Sequence, residues 1–178
     1  LLGNRDINKL RLIAELDPAL PKGHVRRAWW DAKCPPYADW LGAREDSSFC
    51  RLEYILAKTM GAEGDAERRR DEVRTLRQPT TDEGVVASYQ QSLMSGVDLH
   101  FILKHGKLAV LHDGVLYVHG GVTNPKYEPD HCVGWVPGCD RRVHGVAQWV
   151  DALNEWYRAA FEAWEERPLF DDTSAAPL

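Results

Sequence analysis

The sequence predicts an α/β fold, and three observations carry that prediction. Apolar residues recur at helical spacing over several long stretches. The period shifts to two on either side of a single Asp-Gly pair, Asp113-Gly114. At two places, Leu1-Leu2-Gly3-Asn4 and Leu116-Tyr117-Val118-His119, an apolar run that reads as a strand end leads into a side chain able to ligate a metal.

With 178 residues, 44% of them hydrophobic and 28% charged, the chain is long enough to bury a core. We expect one domain over residues 1–167, a helical insertion from about 20 to 80, and a tail or linker from 168 to 178. A net charge of -5 argues against nonspecific binding to nucleic acid or to an anionic membrane surface. No apolar run reaches the roughly 18 to 20 residues of a membrane span, so a soluble chain is expected. Localisation is open, with the cytoplasm as default, because no Met or charged leader begins the sequence. The cysteines Cys34, Cys50, Cys132 and Cys139 form no CxxC pair and read as ordinary thiols. A zinc site built on His131-Cys132 and Cys139 is weighed against a plain surface loop, which their spacing favours.

In chain order, Leu1-Leu2 reads as the end of a buried strand. A short helix follows from Asp6 to about Leu16, marked by Ile7, Leu10, Ile13 and Ala14 and stopped by Pro18 and Pro21. Residues 24–61 suggest short helices broken by Pro35-Pro36 and Gly42. The clearest runs from Ser48 to Met60, with Phe49, Leu52, Ile55 and Leu56 on one face. Asp65 to Arg77 interleaves acids and arginines, pairing Asp65 with Arg69 and Asp71 with Arg74, as on a solvated helix surface. Thr81-Asp82-Glu83 opens a long helix through Val86, Tyr89, Leu93, Val97 and Phe101 to Gly106, weakened at Gly96. A hairpin spans 108–118, and a Pro- and Gly-rich loop spans 122–144. Val146 to Glu165 forms a last helix whose stripe of Trp149, Leu153, Trp156 and Ala160 is core or, alternatively, faces a partner.

Chemistry concentrates at the two strand ends. Gly3 lets the backbone turn and approach a ligand, and Asn4 would present a carbonyl oxygen there to a hard or borderline metal. Against this stands a simpler reading in which Asn4 stabilises the turn and Asp6 caps the helix. His119 sits before Gly120-Gly121, whose missing side chains would leave room for an ion and a phosphate. The simpler reading there is a core histidine satisfied by a backbone carbonyl.

Taken together, Gly3-Asn4-Arg5-Asp6 resembles the GNHE or GNHD signature of calcineurin-like metallophosphoesterases, and Tyr117-Val118-His119-Gly120-Gly121-Val122 resembles their VHGG segment. The motifs cover a dozen or so residues, while the order of elements is similar over most of residues 1–121. The resemblance implies a two-sheet β sandwich flanked by helices, of which this chain holds several strands. It implies a phosphoric ester hydrolase, phosphatase or phosphodiesterase, acting on a small-molecule or phosphoprotein ester. Two divalent metal ions (Mn, Fe, Zn or Mg) would serve it, with Asn4 and His119 among their ligands.

Two departures qualify that implication. Arg5 stands where the family usually has a histidine; it is no acid near neutral pH, but its planar fork suits phosphoryl oxygens. Asp6 would orient Arg5 or cap the following helix. The family's DxH and GDxxD segments do not precede Gly3, nor does a GHxH-like segment follow His119. The chain therefore reads as the middle of a longer hydrolase, with too few ligands for much catalysis by itself. The alternative is an inactive interaction module or an accessory subunit of a larger assembly.

Overall fold

A computed structural model describes residues 1–28, 31–120, 134–138 and 143–168. The fold is mixed α/β and mostly helical, and it divides into two compact units. One runs from Asn8 to His100; the other joins Leu1–Ile7 to Phe101–Pro168.

The Asn8–His100 unit holds helices and no strand among its described residues, and it covers the stretch from about 20 to 80. Its elements are α2 (Arg11–Ala14), a 3-10 turn (Lys22–His24), α3 (Tyr37–Leu41), α4 (Ser48–Tyr54), α5 (Asp65–Thr75) and α6 (Asp82–Met94). The preceding α1 (Asn4–Asn8) crosses into this unit at its last residue. The single helix expected from Asp6 to Leu16 is thus two. The amides of Leu12 and Ile13 bond the carbonyls three residues back, Lys9 and Leu10, and this tight turn interrupts the α-helical ladder.

Ser47 starts α4 by accepting a bond from the Cys50 amide at 3.1 Å, and Thr81 starts α6 in the same way from Gly84 at 3.2 Å. After Tyr54 the helix widens into a π turn, Ile55–Thr59, so the stretch expected to be helical from Ser48 to Met60 is continuous but not uniform. Its apolar face, Phe49, Leu52, Ile55 and Leu56, is buried with Leu12, Leu16, Tyr37, Leu41, Val73 and Val85. Each such aliphatic contributes about 1.5–3 kcal/mol relative to exposure.

One charge lies inside this core. Arg51 has no solvent exposure, and it grips Asp46 by two bonds of 3.0 and 2.7 Å. The rest of its fork donates to the carbonyls of Glu15 (3.4 Å), Asp17 and Leu20 (2.7 Å), closing the irregular segment after α2. Tyr37 adds its hydroxyl to Asp46 at 2.7 Å.

On α5 the charged surface is as expected and Arg74 pairs with Asp71, but the expected Asp65–Arg69 pair is replaced. Asp65 pairs with Arg68 at 3.2 Å and accepts the Tyr89 hydroxyl at 2.9 Å. Arg69 instead reaches across to Ser88 and Ser92 of α6. The long helix expected from Thr81 to Gly106 is also divided, into α6 and α7 (Val97–His105). The Ser95 and Gly96 amides both close on the Gln91 carbonyl, which ends α6 before Val97 begins anew.

The second unit carries the only sheet among the described residues, an antiparallel pair β1 (Ala109–His112) and β2 (Val115–Val118). Asp113 and Gly114 have φ of 49° and 76°, the left-handed pair of a type I′ turn, which explains the Asp-Gly signal. α8 (Val146–Glu166) packs on β1. The buried face of α8 is offset from the expected stripe: Trp149, Val150, Tyr157, Phe161 and Trp164 are buried, whereas Leu153 and Trp156 are half-buried beside Trp149, Val150 and Ala109, and Ala160 is half-buried too. Tyr157 donates its hydroxyl to the Leu103 carbonyl at 2.7 Å.

A two-sheet sandwich is absent from the described residues. Leu1-Leu2 forms no strand there; the Leu2 amide makes one ladder-like bond to the Lys107 carbonyl at 2.9 Å, and helix α1 starts two residues later. The outward edge of β1 is met by a side chain instead of a strand. The Asn154 amide accepts from the Leu108 and Ala109 amides (2.9 and 3.4 Å) and donates to the Ala109 carbonyl at 2.8 Å. Of the expected 122–144 loop, Gly134 and Val143 form an isolated antiparallel bridge and Val136 is buried; residues 122–133 and 139–142, with His131, Cys132 and Cys139, lie outside the described residues, as does the tail from 169.

Candidate functional site

The two motifs meet. The hairpin folds β2 back so that Val118 lies opposite Ala109, and His119 emerges beside the start of β1. Leu2, buried at 2% exposure, is tied to Lys107 at that same end, so Gly3 and Asn4 follow next to His119. The result is a contact between residues 115 positions apart: His119 Nε2 lies 3.1 Å from Asn4 Oδ1. Both side chains are exposed, so His119 is not the buried core histidine of the simpler reading.

With the amide oriented this way, Nε2–H donates to the Asn4 carbonyl oxygen. The same spacing suits chelation. Two donors each about 2.1 Å from one ion and 3.1 Å from each other subtend about 95° at it, near the cis angle of an octahedron. Binding would need the Nε2 proton to leave, with Nδ1 as its alternative seat.

Gly3 forms the floor of this pair. A Cβ built on Gly3 would lie 2.7 Å from His119 Cε1 and Nδ1 and 2.9 Å from Nε2, closer than carbon atoms approach without something moving. The imidazole therefore rests over the bare Gly3 Cα, and Gly3 itself is buried. Beyond His119, a Cβ on Gly120 would meet nothing within 4 Å among the described residues. Gly121 lies outside those residues.

Asp6 serves the local backbone. From the third position of α1 its carboxylate accepts the Gly3 amide at 2.9 Å, one half of a capping box, while the Gly3 carbonyl takes the Asp6 and Ile7 amides. Its charge is also felt by Tyr157, whose hydroxyl is pushed up to about 12, first by burial and then by Asp6. Arg5 is exposed on the first turn of α1, and no ion pair among the described residues engages it.

Asn4 and His119 thus provide two donors, and no group of three or more His, Cys, Asp or Glu side chains gathers among the described residues. One Asp-x-His does occur, Asp98-Leu99-His100, but it lies within α7, after Gly3 in the chain and on a helix instead of a strand end. Sequence reasoning saw Gly3 as a turn residue and missed its contact with the His119 ring. It missed Asn154 altogether, since a lone Asn in an amphipathic helix carries no signal of its partner. No protein-family model matches the chain, and neither a curated protein nor a solved structure does.

Proposed function

We propose that this chain contributes to the metal centre of a phosphoric ester hydrolase, with Asn4 and His119 as ligands of one divalent ion. The observation that supports it most is the 3.1 Å approach of two ligand-type side chains from distant motifs. Divalent ions held there (Mn, Fe, Zn or Mg), two of them in the complete centre, would neutralise the charge of the bound phosphate ester. Arg5 follows Asn4 directly, and its exposed guanidinium is suited to hold phosphoryl oxygens bidentately. Asp6 keeps the Gly3–Asn4 backbone in place through the Gly3 amide. The remaining ligands, and the strands of a two-sheet parent fold, would come from outside the described residues.

One observation favours a second reading. Arginine at position 5 cannot protonate a leaving group near neutral pH, so a catalytically inactive interaction module or accessory subunit of a larger assembly is the competing function.

The test uses the longest natural form of the protein beside its Asn4→Ala and His119→Ala variants. Bound metal is measured by elemental analysis and hydrolysis with aryl phosphate mono- and diesters. Loss of metal and hydrolysis together in both variants is the expected result. Metal lost in both variants from a parent that never hydrolyses the esters supports the second reading. A metal-free parent refutes the hydrolase reading and leaves the interaction module.

A further inference from the structure

We propose that Gly3 is a positioning residue for the Asn4–His119 pair: its lack of a side chain lets the imidazole lie on the backbone with Nε2 aimed at Asn4 Oδ1. This rests on the metal reading of that pair for its consequence, though not for its geometry.

Three contacts converge on this one residue. The His119 ring covers the face of Gly3 where a Cβ would stand, with three ring atoms within 2.9 Å of that position. The Gly3 amide is held by the Asp6 carboxylate at 2.9 Å, and its carbonyl by the Asp6 and Ile7 amides at 3.1 and 3.3 Å. Next to it, the Leu2 amide is tied to Lys107 at 2.9 Å. The backbone under the ring is therefore fixed on both sides, whereas the ring is exposed on the residue that follows β2. A methyl group at position 3 would displace the ring, not the backbone. Since His119 and Asn4 meet at a single pair of atoms, ring displacement separates the donors.

Gly3 has no positive φ, so the requirement for glycine here is space alone. Alanine would keep the helix start and its capping bonds, which involve only the backbone of residue 3 and the Asp6 side chain. The effect of the substitution is thus confined to the ring and what the ring binds.

The experiment uses the full chain, metal-free and then titrated with Co2+. In the metal-free protein, a nuclear Overhauser contact between Gly3 Hα and the His119 ring is expected, with the ring signals assigned from His119→Ala. Gly3→Ala should shift those signals and weaken Co2+ binding at least tenfold, the scale of lost support around a ligand. In an Asn4→Ala background the same substitution should add little further loss, because the pair is already broken. Absence of the Overhauser contact, or unchanged ring signals and Co2+ affinity in Gly3→Ala, overturns the proposal. Should Gly3→Ala fail to fold, Gly3→Ala/His119→Ala decides the matter: restored folding supports a clash with the ring, and continued failure overturns it. If the parent takes up no Co2+ while the Overhauser contact and the ring shifts are as expected, the metal reading fails and the positioning role of Gly3 stands.

Discussion

Replacing Arg51 with Met is the severest test of how the helical unit is held together. The guanidinium is fully buried, and the Asp46 side chain that it grips is 16% exposed. Methionine fills much of the same volume but leaves Asp46 with the Tyr37 hydroxyl in place of two charged donors. It also strips a donor from the carbonyls of Asp17 and Leu20, both in the segment after α2. Breaking a buried ion pair by removing one partner costs about 3–5 kcal/mol. Against a total stability of roughly 5–15 kcal/mol, that is about a fifth of the whole at the least. Urea denaturation followed by far-ultraviolet circular dichroism measures the loss, and hydrogen exchange by mass spectrometry locates it. Exchange should quicken in residues 11–94 and stay slow in the hairpin. Arg51→Lys should lie between the parent and Arg51→Met, since an ammonium keeps the charge but not the fork. A loss under about 1 kcal/mol in Arg51→Met, or faster exchange confined to the hairpin, would refute the assignment of Arg51 as the clasp of this unit.

Two further outcomes follow from the same geometry. The Arg51 hydrogen bonds hold the Asp46 carboxyl below its ordinary value of 3.8, with a smaller contribution from Tyr37. A depressed folded-state value means stability that is full above the unfolded value and is lost as pH falls through the folded one. The parent should therefore weaken below about pH 4, and its advantage over Asp46→Asn should narrow between pH 5 and pH 3 when their urea midpoints are compared. Asn154→Ala removes the side chain that satisfies three backbone groups at Leu108 and Ala109, two of them on a fully buried residue. A loss of about 1–3 kcal/mol is expected, with faster exchange at Leu108 and Ala109 as its local signature; unchanged exchange there would count against it.

Much of the local structure was legible from the chain. The Asp-Gly turn, the helix start at Thr81 and the existence of an amphipathic α8 depend on patterns within a few residues, and these are written in the sequence. The helix interruptions at Lys9-Leu10 and Ser95-Gly96 were less legible, because apolar periodicity continues through them while the backbone bonds do not. Composition likewise expressed the charged face of α5, but not that Arg69 leaves Asp65 for the serines of α6.

The sequence by itself determined the ligand-type residues Asn4 and His119, each at the end of an apolar run beside a glycine. Only the tertiary structure decided that they touch and that Gly3 carries the His119 ring. The physical reason is the range of the forces involved. Periodicity and capping act over three or four residues, whereas the Asn4–His119 contact is set by one hairpin register and one backbone bond to Lys107. Arg51 and Asn154 follow the same rule: each satisfies backbone groups 31 to 46 residues away, and nothing in the neighbouring sequence records which ones.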